Sequence, residues 1–126
     1  MSIAAIPPPI PQTVFIGFNK KPNPVFDIEY YGTTHFAIIE KNWKDEGLLN
    51  WNVVSFIEDA TAPFHVIAEI VWKDTASATA AMLVENPKRA EILADGPNFT
   101  NLNFTLFTGP QTAHSDCGKF CHLRHV

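Results

Sequence analysis

Basic residues are scarce in this chain and nowhere clustered: nine Lys and Arg stand against thirteen Asp and Glu, for a net charge of −4. Nucleic acid and anionic membranes both require a basic footprint, so neither is an expected partner. Cysteine is nearly absent. Cys117 and Cys121 both fall at the C-terminal end, where they cannot staple a domain core, and a reduced, cytoplasmic chain follows. No run of eighteen apolar residues is present to span a bilayer. The opening Ile3-Ala4-Ala5-Ile6 is cut short by Pro7, Pro8 and Pro9 and has no basic flank, so it reads as neither signal peptide nor anchor. Also missing are a Gly-rich phosphate loop, a Gly-x-Ser-x-Gly elbow and a His-Glu-x-x-His pair. Nucleotide binding, serine hydrolysis and zincin chemistry therefore lack support.

What the chain does have is apolar material. Hydrophobic residues make up 46% and charged residues 17% of 126, enough for one domain with a true core and with apolar surface left over for an interface. A pocket enclosed by so short a chain is expected to need a second subunit. Residues 1–12 read as a flexible proline-rich arm, 13–110 as the folded domain and 111–126 as a polar tail. Three His and two Cys in that tail invite a zinc reading, but Cys117-x3-Cys121-His122 fits no zinc spacing, and no metal is expected.

Within the domain, Thr13-Val14-Phe15-Ile16-Gly17-Phe18 reads as a first strand. Asp27 caps a helix running to Trp43, and Trp51–Glu58 and Phe64–Trp72 are further strands. Asp74–Val84 and Pro87–Leu93 are helical, and Asn101–Thr108 is a fourth strand. In the third strand, His65, Ile67, Glu69 and Val71 share one face, opposite Phe64, Val66, Ala68, Ile70 and Trp72. The order βαββαβ predicts a ferredoxin-like α+β sandwich: an antiparallel sheet with helices on one face and the other face in need of cover.

At about 100° per residue, Ile28, Tyr31, His35, Ile38, Ile39 and Asn42 share one sector of the first helix, so Tyr31 and His35 should point inward together. Such a pair serves equally as a proton-transfer pair in a cleft or as two satisfied core residues.

Phe26-Asp27-x-x-Tyr30-Tyr31-x-x-x-His35, the junction Trp72-Lys73-Asp74-Thr75-Ala76 and the segment Ala94-Asp95-Gly96-Pro97-Asn98-Phe99-Thr100-Asn101 together resemble the EthD family. The likeness spans about residues 12 to 110. It implies the dimeric α/β-barrel superfamily, in which two ferredoxin-like subunits form a homodimer and each holds a small pocket between sheet and helices. Members include cofactor-free polyketide cyclases, decarboxylases, isomerases, hydroxynitrile lyases and quinone-forming monooxygenases. Tyr30, Tyr31 and His35 match the family's first motif, and Asp95, Asn98 and Phe99 its last.

The resemblance implies no metal and no cofactor, a homodimer, and a small hydrophobic or aromatic metabolite as ligand. On that reading His35 is a general base or acid, or else a buried His that holds a loop. Tyr31 orients the imidazole or stabilises an enolate oxygen. Tyr30 packs at the sheet edge or on the partner subunit. His65 faces the cavity from the sheet, or lies at an interface. Asp95 and Asn98 contact substrate or bond the backbone of their own turn. Trp72 and Phe99 line the pocket or fill the core.

The expected function is a cofactor-independent lyase, cyclase or isomerase that abstracts a proton from a small polyketide-like or aromatic carbonyl compound. The alternatives are a non-catalytic binding or accessory protein for a hydrophobic metabolite and a cofactor-free monooxygenase.

Overall fold

The computed structural model describes residues 10–113. Most of the arm and the Cys/His segment from His114 onward lie outside the described residues, as does the zinc reading attached to that segment.

The first strand, β1 (Gln12–Asn19), leads into a helix, α1, built of three consecutive pieces: an α-turn Ile28–Tyr30, a π-turn Tyr31–His35 and an α-helix Phe36–Trp43. Strands β2 (Leu48–Ser55) and β3 (Phe64–Trp72) follow, then α2 (Thr75–Met82), α3 (Pro87–Ala94), a 3₁₀ turn Gly96–Asn98 and β4 (Phe104–Pro110). The four strands form one antiparallel sheet in the order β2-β3-β1-β4. This is the βαββαβ sandwich expected from the chain's periodicities.

Local chemistry sets the helix starts. Asp27 accepts the Tyr30 N–H at 3.0 Å, Asp74 accepts the Ser77 N–H at 2.7 Å, and Asn86 caps α3 ahead of Pro87 at its first position. Gly47 carries the backbone from α1 into β2 at φ +104, a conformation that an L side chain rarely adopts.

Two strands are displaced from the sequence reading, β2 to 48–55 from 51–58 and β4 to 104–110 from 101–108. β2 begins at Leu48, because the apolar run continues straight from the Gly47 turn. β4 begins only at Phe104, because Asn101 is bonded to Asn23 and Val25 of the loop before α1 and the Leu102 N–H to the Thr100 hydroxyl.

The helix-facing side of the sheet carries Val14, Phe18, Val66, Ala68, Ile70 and Trp72. These pack with Phe36, Ile39 and Trp43 of α1 and with Ala78, Ala81 and Ile92. Each of the larger side chains contributes about 1.5–3 kcal/mol by leaving water. Ile28, expected inward, is instead exposed, since it opens the helix before the chain reaches the core.

On the opposite face Phe15 stacks on Phe107 at 5.0 Å, and Phe64 stacks on Phe107 at 5.9 Å. Phe64 therefore stands on the face opposite Val66, against the strict alternation expected. The cause is a bulge. β1 pairs Phe18 with Val66 but Asn19 with Phe64, leaving His65 as an extra residue. Val54 and Phe107 on this face are more than two-fifths exposed, so it remains a partly uncovered apolar surface in the single chain.

Candidate active site

Two connecting segments bring the chemistry together. The loop before α1 and the loop before β4 are zipped by backbone bonds. Asp27 N–H donates to the Phe99 carbonyl at 2.8 Å, and Asn101 N–H donates to the Val25 carbonyl at 3.2 Å. The Asn101 side chain accepts from the Val25 N–H at 2.8 Å. The helix carrying Tyr30, Tyr31 and His35 is thereby fixed against the turn carrying Asp95, Asn98 and Phe99.

Asp95 is the centre of that contact. One carboxylate oxygen, Oδ2, lies 2.9 Å from His35 Nδ1; the other, Oδ1, accepts from the Tyr30 hydroxyl at 2.8 Å and from Asn98 Nδ2 at 2.9 Å. Burial pushes the carboxyl pKa up, but the hydrogen bonds from Asn98, His35 and Tyr30 outweigh it and hold Asp95 below the ordinary carboxylate value. An ionised Asp95 accepts, so His35 Nδ1 carries the proton and Nε2 holds the free lone pair. Among the described residues Nε2 has no partner, and it is not sealed from the cavity that His35 lines.

Burial lowers the His35 pKa, and Asp95 offsets this only in part, so the imidazole is neutral at pH 7. Its ring stacks on Tyr31 at 5.2 Å and 17°, and lies 4.6 Å from the Phe99 ring. Tyr31 is almost wholly buried, and burial alone drives its hydroxyl well above the usual phenol range. That hydroxyl has no hydrogen-bond partner among the described residues.

Between α1, α3 and the sheet lies an apolar cavity of about 540 Å³. Tyr31, His35 and Phe99 line it, over a floor that includes Ile16 and Ile70. Its size falls in the range of small-molecule pockets.

Of the residues singled out from sequence, Tyr31, His35 and Phe99 thus reach the cavity. Tyr30, Asp95 and Asn98 stand behind them as a hydrogen-bonded support. Tyr30 bonds Asp95 rather than packing at the sheet edge. The π-turn explains this: Phe36 N–H reaches back to the Tyr31 carbonyl, and the widened turn leaves Tyr30 and His35 converging on one carboxylate. The imidazole is oriented by Asp95, not by Tyr31.

His65 is outside the cavity. It is buried at the bulge, where Nε2 accepts from the Lys21 N–H at 3.3 Å, and Ile67 and Glu69 lie on the sheet face away from the helices. Trp72 is fully buried in the core against Trp43, at 5.2 Å, and does not line the cavity. Arg89 on α3 also lines the cavity and went unnoticed in the sequence, where a single Arg on a short polar helix carries no signal.

No protein-family model and no curated relative matches the chain. Solved structures do. An EthD-like protein from Ralstonia eutropha JMP134 superposes with a TM-score of 0.71 at 18% identity, over 86% of this chain and 97% of that one. The chain has the fold of the EthD-like proteins. An EthD-family protein from Bacillus halodurans C-125 gives 0.59 at 19% identity, over 82% of this chain and all of its own. SnoaB, a cofactor-independent oxygenase from Streptomyces nogalater, gives 0.52 at 15% identity, over 84% and 99%. The ferredoxin-like architecture is thus shared with these proteins. Among the described residues no helix is long and apolar enough to cross a membrane.

Proposed function

We propose that this chain is a cofactor-independent enzyme of the lyase, cyclase or isomerase kind, which abstracts a proton next to the carbonyl of a small polyketide-like or aromatic compound. The observation that carries the reading is the pairing of His35 Nδ1 with Asp95 Oδ2, which leaves a neutral Nε2 open to an apolar cavity. Nε2 takes the proton from carbon, and the C–H electron pair moves into the carbonyl to give an enolate oxygen. Tyr31 contributes its ring, stacked on the imidazole, as the apolar wall beside the reacting carbon, while its hydroxyl stays sealed in the core. Asp95 stabilises the imidazolium that forms. The proton then returns to another carbon, or to a departing hydroxyl, or the enolate carbon closes onto a second carbonyl of the same molecule.

The test is exchange of deuterium from solvent into the acidic carbon of β-dicarbonyl probe compounds, followed by NMR. His35→Ala should lose the exchange by roughly 10²–10⁴-fold while keeping its fold, as general base catalysis of this kind is worth. Full exchange in folded His35→Ala refutes the assignment.

A second reading, a cofactor-free monooxygenase, draws support from the likeness to SnoaB, whose fold is shared. The same enolate would then meet oxygen, and oxygen consumption with phenolic probes separates the two. Under either reading the protein works as a homodimer, with the apolar face of Phe15, Phe64 and Phe107 turned toward its twin.

A further inference from the structure

The charged residues of α3 are disposed unevenly. Lys88 pairs with Glu46, and Glu91 pairs with Lys41 at 2.8 Å, so both tie the helix to α1 and the turn after it. Arg89 is turned the other way. It lines the 540 Å³ cavity beside Ile92 and Leu93, half-buried, and among the described residues it has neither an ion-pair partner nor a side-chain hydrogen bond. No Asp or Glu lines that cavity. Its other ionisable groups, His35 and Tyr31, are neutral at pH 7.

The cavity wall therefore carries one permanent charge, positive, among apolar side chains. A guanidinium partly withdrawn from water and left without an anion is unfavourable, and the deficit is made good when an anionic group occupies its five-donor fork. Carboxylates fit that fork with two parallel hydrogen bonds, a geometry that an ammonium group does not offer.

We infer that the ligand of this cavity carries a carboxylate, which Arg89 binds while the rest of the molecule lies on the apolar floor against His35 and Tyr31. The inference rests on the cavity being the substrate site and narrows the substrate class to aromatic or polyketide-like acids. Arg89 is then a specificity residue, set at the end of the pocket formed by α3. It takes no proton, and its part is to orient the acid.

Binding alone tests this, without turnover. 1-Hydroxy-2-naphthoic acid, its methyl ester and 1-naphthol are titrated calorimetrically into the intact protein at pH 7. The acid should bind at least tenfold more tightly than the ester or the naphthol, as expected for a charge-assisted pair. In Arg89→Gln the acid should weaken to the level of the ester while the ester is unchanged. Arg89→Lys should restore only part of the preference, because a point charge replaces the fork. Equal affinity for acid and ester in the native protein overturns the proposal, as does an acid preference that survives Arg89→Gln.

His35→Gln provides the separation from the catalytic reading. It should keep the acid preference, so loss of exchange in that variant and loss of preference in Arg89→Gln report on different claims.

Discussion

Asp95 Oδ2 meets His35 Nδ1 at 2.9 Å across 60 residues of sequence, and this contact fixes which imidazole nitrogen is free. Replacing Asp95 by Asn keeps the shape but loses the charge. The rate of substrate deprotonation should fall at least tenfold, with KM little changed, since the group acts through His35 rather than on the ligand. Tyr30→Phe, which removes one of the three donors to Asp95, should cost only a few-fold. Steady-state kinetics on both variants checks the order, and a Tyr30→Phe loss as large as that of Asp95→Asn would contradict it.

The pH profile follows from the direction of the His35 shift. The folded-state pKa lies below 6.5 and neutral imidazole is the active form, so kcat/KM should rise along an acid limb centred below 6.5 and then stay flat through neutrality. Asp95 raises the His35 pKa, so the limb should move to still lower pH in Asp95→Asn. A limb that moves upward would refute the assignment. The same shift means that the native state binds fewer protons than the unfolded one, and thermal stability should decline as the pH drops through 6.5.

Gly17 sits beneath the Phe64 ring, where an added Cβ would come within 2.7 Å of ring carbons. Gly17→Ala should therefore destabilise the protein by about 1–3 kcal/mol in urea unfolding. In a Phe64→Ala background the same change should cost much less. Equal costs in both backgrounds would show that the ring is not the obstacle.

Phe107 lies at the centre of the aromatic stack on the uncovered sheet face, touching Phe15 and Phe64. Phe107→Glu should convert the proposed dimer to a monomer in equilibrium sedimentation at micromolar concentration. A native protein that is already monomeric there would remove the dimer from the proposal.

Element order, the Asp27 cap and the inward pointing of Tyr31 and His35 were legible in the sequence, because caps and apolar periodicity are local signals. Four features were not. Tyr30 joins the site only because a π-turn interrupts the regular helix, which a fixed angular step per residue does not represent. His65 misses the cavity because the β3 face it shares with Ile67 and Glu69 is the one turned away from the helices, and alternation alone does not say which face the helices cover. The Asp95–His35 bond and the lone placement of Arg89 depend on packing between elements far apart in the chain, where periodicity says nothing.

The π-turn also separates two demands that a single helix normally has to meet together. Phe36, Ile39 and Trp43 follow it and pack on the sheet, whereas Tyr30, just before it, and His35, at its end, meet on Asp95. Loss of one residue at Gly32, which meets no neighbour within 4 Å, would be absorbed as an ordinary α-turn, with the three core residues left in phase. The rings above would shift relative to one another. In this fold, insertion or deletion within one turn is a route to new chemistry that leaves the scaffold in place.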